Sequence, residues 1–169
     1  QSSLILDFDG REINLLPVTP AVTLLAVSPE MEKIMAAAGK GCYSNLPARE
    51  ILATLTPTKA ESFLRGKILP TGHFSVVEHG YFTFGIEGVS RAMTHQLVRH
   101  RIASYSQQSQ RYCNPVGENV EKPVFRFVVP PSFRYHPQRF ENFIVGVKNS
   151  LSEYLSAIKN GTCEEDARM

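Results

Sequence analysis

The sequence feature that most constrains the fold is a long amphipathic segment near the carboxyl end of the chain, from about Pro137 to Lys159. Its apolar residues recur at the spacing of an α-helix, at Phe140, Phe143, Ile144, Val147, Leu151, Leu155 and Ile158. This period predicts one long helix with a wide apolar face, ended by Asn160-Gly161. We expect that face to pack on the core of the domain, on a partner subunit, or on both.

A small hairpin is predicted at the other end of the chain. Asp9-Gly10 lies between two short apolar segments and supplies the residue types that a tight hairpin turn requires. Pro17 and Pro20 are expected to end the second strand. We expect residues 1–20 to be a variable addition to a single domain that spans residues 1–169.

Strand patterns and helix patterns alternate in between, so the predicted fold class is α/β (α+β). The continuous apolar run Val22 to Val27 predicts a central strand. Tyr81 to Glu87 and Val124 to Val129 predict two more, because both are rich in β-branched and aromatic residues.

Capping residues mark where the intervening helices should begin. Ser28-Pro29 predicts the start of one helix, and Thr58 with Glu61 forms a capping box for another. Ser90 predicts the cap of a third helix, which leads into the most basic part of the chain.

Composition excludes several classes of protein. A chain of 169 residues with 43% hydrophobic and 20% charged residues is typical of a globular domain. No apolar run approaches the ~20 residues that span a bilayer, and no secretory signal is recognisable, so no membrane partner is expected. Cys42, Cys113 and Cys163 fit neither a disulfide framework nor a metal spacing, which favours a reduced, cytoplasmic location without a metal.

The positive charge of the chain is concentrated between Arg91 and Arg111. This window carries +4 and the whole chain only +2, so the remainder carries −2. Its arginines are Arg91, Arg99, Arg101 and Arg111, and it contains no acidic residue. Arginine forks match the paired oxygens of phosphates, so the window predicts an anion site, with a solvated basic face as the alternative. The helix is expected to end in Arg99-His100-Arg101, where successive side chains project about 100° apart and cannot all reach one ligand. Either they serve two ligands on adjacent faces, or one of them is structural.

The sequence gives weaker support for a metal site, a serine nucleophile or a glycine-rich phosphate loop. His73, Glu78 and His79 lack the spacing of a zinc site, and Glu78 is expected to pair with an arginine instead. No Gly-x-Ser-x-Gly elbow surrounds Ser109, and no phosphate-binding glycine loop occurs. Four glutamines could read a planar heterocycle, at Gln96, Gln107, Gln108 and Gln110, and Tyr105 and Tyr112 could stack on a ring or simply pack.

Several ordered blocks resemble the flavin-dependent thymidylate synthases. Arg99-His100-Arg101 followed by Ser109 and Arg111 resembles the signature of that family. The upstream blocks Gly72-His73-x-Ser75-x-x-Glu78-His79 and Cys42-Tyr43-Ser44 are also similar, and the likeness returns at Asp166-Ala167-Arg168. The resemblance implies an α/β fold with a central, mainly antiparallel sheet flanked by helices, assembled as a homotetramer whose active sites are shared between subunits.

The resemblance also implies a reaction and its ligands. Such enzymes methylate dUMP to dTMP, with methylenetetrahydrofolate as carbon donor and NADPH-reduced FAD as hydride source. FAD would lie against His73, Ser75, Arg99, His100, Arg101 and Ile102. The substrate dUMP would be held by Gln96, Arg99, Gln107, Gln108, Ser109, Gln110, Arg111 and Arg168, so Ser109 would be a binding hydroxyl.

Two departures from the family pattern bear on activity. Many members have glutamate where this chain has Gln107. The family's uracil-polarising arginine would lie beyond Met169, so no catalytic residue is assigned. The domain is therefore expected to be incomplete at its carboxyl end. Two alternatives stay open: a remnant that binds nucleotide without turnover, and a basic module for single-stranded nucleic acid. The net charge of only +2 argues against nucleic acid as a partner.

Overall fold

The computed structural model describes residues 4–117 and 121–168. The chain divides into two compact units, called here unit 1 (residues 1–21 and 87–169) and unit 2 (residues 22–86). The described strands are β1 (Ile5–Phe8), β2 (Arg11–Val18), β3 (Ala21–Val27), β4 (Phe82–Glu87) and β5 (Val124–Val128). The described helices are α1 (Met31–Gly41), α2 (Ala48–Thr54), α3 (Pro57–Phe63), α4 (Leu69–Thr71), α5 (Arg91–Leu97), α6 (Pro131–Arg134), α7 (Pro137–Lys159) and α8 (Glu164–Ala167). A π-helical segment (Leu64–Ile68) joins α3 to α4, and a 3₁₀ helix covers Phe74–His79. This mixture confirms the predicted α/β class.

The amino-terminal hairpin forms where Asp9-Gly10 predicts it. Both turn residues have positive φ, 53° at Asp9 and 75° at Gly10, which is the conformation that the right-handed twist of a tight hairpin requires. The Gly10 N–H donates to the Asp7 Oδ1 at 2.9 Å. β2 then pairs antiparallel with β1 and parallel with β5. Pro17 does not end the strand, as the sequence had suggested, because it lies within β2 opposite Phe127.

Helix α7 provides the core of unit 1. It begins at Pro137 and ends at Lys159, as its apolar period predicts. Ile144, Leu151 and Tyr154 are buried against Ile13 of β2 and Phe127 of β5. The remaining apolar positions of the predicted face pack around this cluster, at Phe140, Phe143, Val147, Leu155 and Ile158. The apolar face of α7 therefore packs on the core of the domain, which is one of the alternatives that the sequence left open.

Unit 2 is built around a second cluster of buried side chains from α1, α2, α3 and the π-helical segment, including Met35, Ala36, Ile51 and Ile68. Gly39 of α1 allows the close approach of these elements, because a Cβ at this position would lie 2.9 Å from the Phe63 ring.

Two predicted helix caps in unit 2 are wrong. Ser28 does not cap α1, whose N-cap is Glu30 with φ 46°. Its buried side chain instead accepts the backbone N–H of Tyr81 at 2.7 Å, joining the end of β3 to the start of β4. The cap of α3 is Thr56, whose hydroxyl accepts the Lys59 N–H at 3.3 Å, and not Thr58. Pro57 fits the first helical position because it has no N–H to satisfy there.

Strands β3 and β4 form a separate two-stranded sheet within the described residues, which we call the β3–β4 ribbon. The prediction of a strand at Val22 to Val27 is confirmed, but its central position is wrong. Every residue of β3 is exposed, including Val22 at 66% and Leu25 at 63%. An apolar run indicates that both faces are to be covered, and the described chain does not cover them.

Candidate functional site

The basic window begins on α5, which is fixed at its amino end by two local features. Ser90 caps the helix as predicted, since its Oγ accepts the Met93 N–H at 3.2 Å. Two residues earlier, Gly88 adopts φ 64°, and a Cβ there would lie 2.1 Å from the Thr19 carbonyl oxygen. Only glycine fits this close approach, so the start of α5 is held against the segment that follows β2.

The helix does not extend to the triplet Arg99-His100-Arg101. It ends at Leu97, with Val98 as the C-cap residue, and the triplet lies in the turn that follows. The spacing of about 100° per residue expected for a regular α-helix therefore does not extend through residues 99–101.

Loop 100–111 is held to α5 by side-chain hydrogen bonds. Gln107 donates through Nε2 to the Thr94 Oγ1, which itself donates to the Arg91 carbonyl at 3.1 Å. Arg91 in turn donates through Nη1 to the Gln108 carbonyl at 3.5 Å. Arg91 and the amide nitrogen of Gln107 are therefore committed to holding the loop, which leaves the Gln107 carbonyl oxygen available to a ligand.

The two tyrosines of this region have different environments. The Tyr105 hydroxyl donates to the His100 carbonyl at 2.9 Å, so Tyr105 braces the turn that carries the triplet. Tyr112 is 81% exposed, and the Arg111 guanidinium lies 6.0 Å from the centre of its ring. Of the two, Tyr112 is the one free to stack on a planar ligand.

The triplet presents cations that no described protein group neutralises. Arg99 and Arg101 are exposed, and neither forms an ion pair or a side-chain hydrogen bond with any residue that the structure describes. Ile102, which follows them, is 99% exposed. Unpaired guanidinium groups beside a fully exposed apolar side chain are suited to a ligand that is both anionic and planar.

Arg111, by contrast, has a partner that lies outside the window. Its Nε lies 2.8 Å from the Glu165 Oε2 on α8, and its backbone N–H donates to the Ser109 Oγ at 3.1 Å. Arg168, the C-cap residue of α8, donates through Nη2 to the Cys113 carbonyl and lies 5.5 Å from the ring centre of Tyr154. The fold thus brings the segment 109–113 to α8, and with it three of the residues predicted to bind dUMP: Ser109, Arg111 and Arg168.

The other predicted site residues divide between the two units. In unit 1, Gln96, His100 and Gln110 are exposed, and their side chains make no hydrogen bond within the described residues. His73 and Ser75 belong to unit 2, at the 3₁₀ helix Phe74–His79, and both are exposed.

The described residues form neither the ion pair expected at Glu78, nor a cluster of metal ligands, nor a helix able to span a membrane. Glu78 was expected to pair with an arginine, but it forms no ion pair in the described part of the chain. Among residues 4–117 and 121–168, no three His, Cys, Asp or Glu side chains cluster as metal ligands would. Over the same residues, each helix is too short or too polar to cross a bilayer.

A separate concavity lies in unit 2 and contains none of the predicted site residues. It has a volume of about 350 Å³, and its lining includes Lys40, Tyr43, Phe63 and Lys67. The Lys67 Nζ lies 4.5 Å from the ring centre of Tyr43, and the Lys40 Nζ lies 5.5 Å from that of Phe63.

Sequence reasoning missed Glu165 as a site residue. The acidic run Glu164-Glu165-Asp166 next to Arg168 was visible, but its distance from Arg111 along the chain hides the contact. Only the packing of α8 against the loop shows which carboxylate of the three reaches the arginine.

Comparisons with known proteins agree on one family. Residues 23–169 match the family model described as thymidylate synthase complementing protein. A flavin-dependent thymidylate synthase from Geobacter sulfurreducens is 42% identical over 147 residues, which are 87% of this chain and 61% of the relative. Another from Pyrococcus furiosus is 49% identical over 102 residues, 60% of this chain and 41% of the relative. The chain spans about half the length of the curated relatives it matches.

A solved structure with a similar fold is that of PolB, a UMP/dUMP methylase from Streptomyces cacaoi bound with 5-Br dUMP. The TM-score is 0.67 at 20% sequence identity, and the match covers 92% of this chain and 68% of that one. At this level of identity the likeness concerns the fold.

Proposed function

Because this chain belongs to the thymidylate synthase complementing protein family, we propose that the full-length protein catalyses the reductive methylation of dUMP to dTMP. Methylenetetrahydrofolate is the proposed carbon donor, and NADPH is the proposed reductant of an FAD that carries the hydride. This proposal is supported by Arg99 and Arg101, whose guanidinium groups have no ion-pair partner among the described residues and lie next to a loop that α5 holds in place.

The residues at the triplet fit FAD by the chemistry of their side chains. The diphosphate of FAD is an anion, and Arg99 and Arg101 offer paired N–H donors that no described carboxylate occupies. Ile102 exposes an apolar side chain on which a flat ring can rest. We propose that these residues hold FAD together with His100, and with His73 and Ser75 of unit 2. When bound, FAD supplies the hydride chemistry that amino-acid side chains cannot.

The residues proposed for dUMP suit the two ends of that molecule. Ser109 accepts the Arg111 N–H, which leaves its own proton free to be donated to a phosphate oxygen. Ser109 therefore acts in this proposal as a binding hydroxyl. The side-chain amides of Gln96, Gln108 and Gln110 can donate to the carbonyl groups of uracil or accept from its N–H. Gln107, whose amide nitrogen is bonded to Thr94, can accept through its side-chain carbonyl oxygen. Arg99 would contact both FAD and dUMP, and Arg111 and Arg168 would bind the phosphate of dUMP.

We also propose a homotetramer with active sites shared between subunits. The β3–β4 ribbon supports this, because it exposes large apolar side chains on both strands: Val22, Leu24, Leu25, Phe82, Phe84 and Ile86 are between 40% and 66% exposed. Apolar patches of this kind typically mark a protein interface. A cytoplasmic location is proposed with it, since the three free cysteines are typical of a reducing compartment.

The proposal is tested by the visible absorption spectrum of the purified full-length protein, recorded after adding FAD and again after adding dUMP. We expect flavin bands that shift when dUMP binds. The double variant Arg99→Ala/Arg101→Ala should lose the bound flavin, whereas Arg139→Ala should keep it, because Arg139 is an exposed arginine of α7 outside the window. Full flavin occupancy in the double variant would refute the assignment of the triplet.

A nucleotide-binding remnant is separated from an enzyme by turnover. The enzyme forms dTMP when dUMP, methylenetetrahydrofolate and NADPH are supplied together, and the remnant binds dUMP without forming it. The remaining alternative, a module for single-stranded nucleic acid, predicts binding that weakens steeply as salt rises, and dUMP would not compete with it.

A further inference from the structure

We propose that Glu165 is a positioning residue, which orients Arg111 toward the phosphate of the nucleotide. The inference rests on the proposed function, which assigns that phosphate to Ser109, Arg111 and Arg168. Its basis is the ion pair between the Arg111 Nε and the Glu165 Oε2 at 2.8 Å. The two side chains are 61% and 53% exposed, so the pair lies where a soluble ligand can reach it.

The nitrogen of Arg111 that contacts Glu165 determines which N–H donors of the guanidinium are left to bind a ligand. A guanidinium carries five N–H donors, one on Nε and four on the two terminal nitrogens. Glu165 is closest to Nε, so its contact leaves the terminal pair of nitrogens for another anion. That pair can engage two phosphate oxygens at once. At the backbone of the same residue, the Arg111 N–H is held by the Ser109 Oγ, so both ends of Arg111 are constrained.

Arg168, the C-cap residue of helix α8, makes a second contact with the same loop. Glu165 and Arg168 are three residues apart, a spacing that places side chains on one face of a helix. Arg168 donates to the Cys113 carbonyl, two residues beyond Arg111. A single short helix therefore fixes the loop at 111–113 through one carboxylate and one guanidinium, and both of the arginines proposed for the phosphate depend on it.

A carboxylate near a phosphate site could also act in the opposite sense, by repelling the phosphate or competing for Arg111. The two roles are distinguished by substitutions that separate charge from reach. Glu165→Asp keeps the negative charge and withdraws it by one methylene, so it breaks the contact and retains the repulsion. Glu165→Gln keeps the reach and removes the charge. A positioning role predicts that both substitutions weaken dUMP binding, whereas a repelling role predicts that Glu165→Gln strengthens it.

The experiment measures the affinity of the full-length, flavin-loaded protein for dUMP and for deoxyuridine, which lacks the phosphate. Glu165→Asp should weaken dUMP binding by about three- to fivefold, the upper range for an exposed ion pair. Deoxyuridine affinity should not change. Glu164→Asp is the matched control, because Glu164 forms no ion pair within the described residues, and it should leave both affinities unchanged.

Three results would overturn the inference: dUMP affinity in Glu165→Asp within the error of wild type, tighter dUMP binding in Glu165→Gln, or an equal loss for dUMP and deoxyuridine. If either variant unfolds, a second comparison tests the inference. The dUMP affinity of the Arg111→Ala variant is compared with that of the double variant Arg111→Ala/Glu165→Ser. A positioning residue has no effect on dUMP affinity once Arg111 is gone, and a loss that persists there contradicts the inference. Wild-type protein that does not bind dUMP at all would instead refute the proposed function.

Discussion

Gly88 offers a quantitative test of how α5 is held in place. Three glycines of unit 1 differ in conformation and in the space around them. Gly88 has φ 64° and a Cβ would lie 2.1 Å from the Thr19 carbonyl oxygen. Gly10 has φ 75° with nothing within 4 Å, and Gly146 of α7 has neither a positive φ nor a neighbour within 4 Å. Substituting each with alanine therefore separates the cost of the backbone conformation from the cost of the clash.

The magnitudes follow from these surroundings. A left-handed φ costs an alanine about 1 kcal/mol, which is the expected loss of unfolding free energy for Gly10→Ala. Gly88→Ala carries the same cost and an overpacking cost of about 2 kcal/mol, because a carbonyl that lies 2.1 Å away must move by roughly 1 Å. The expected loss is thus about 3 kcal/mol. Gly146→Ala should raise the free energy of unfolding by up to about 1 kcal/mol, through better helix propensity.

Urea unfolding followed by far-ultraviolet circular dichroism measures all three, since the chain has no tryptophan to report by fluorescence. The m-values should stay equal, so that midpoints compare directly. The reasoning fails if Gly88→Ala loses no more stability than Gly10→Ala, since the Thr19 carbonyl would then move without cost. It also fails if Gly146→Ala is destabilising.

Three smaller predictions address the corrected caps and the loop. Ser28→Ala removes the buried hydroxyl that joins β3 to β4 and leaves a backbone N–H unpaired, so the free energy of unfolding should fall by about 1–3 kcal/mol in the same urea assay. Thr56→Ala should cost about 1 kcal/mol while Thr58→Ala costs almost nothing, and the reverse order would restore the cap inferred from the sequence. Tyr105→Phe should speed hydrogen exchange of the backbone amides between residues 100 and 106, whereas Tyr112→Phe, which loses no hydrogen bond to any described residue, should leave that exchange unchanged.

The elements that the sequence predicted well are those determined by neighbouring residues. The hairpin at Asp9-Gly10 and the cap at Ser90 depend on contacts within three residues. Helix α7 has a single period over its whole length, and its bounds agree with the prediction. The α3 cap was misplaced because Thr56 and Thr58 are both chemically suitable, and only the position of Pro57 distinguishes them.

The errors arose where a residue's role depends on a distant segment. Ser28 has the sequence signature of a cap, but its hydroxyl is used by a backbone group 53 residues away. The apolar run of β3 indicates burial, yet nothing in the run says whether the covering surface comes from the same chain. In the candidate site, Arg99 and Arg101 have no ion-pair partner in the described part of the chain, which agrees with the basic window. The partner of Arg111, by contrast, lies 54 residues further along the chain and could not be predicted from the spacing of residues.

Pro17 lacks the backbone N–H that an added strand would need as a partner on the β1 side of β2. The Asn14 N–H points to the β5 side, where it donates to the Pro123 carbonyl, and the Leu15 N–H points to the β1 side, where it donates to the Leu4 carbonyl. The direction of the backbone N–H repeats every two residues along a strand, so the backbone nitrogen of residue 17 faces the same side as that of residue 15. Pro17 therefore lies on the β1 side of β2, past the last described residue that β1 pairs, and has no N–H there to offer. No described strand pairs with β2 on this side at residue 17, and a proline there cannot donate to the ladder that a foreign strand would extend, so replacing Pro17 with threonine should favour strand addition and aggregation.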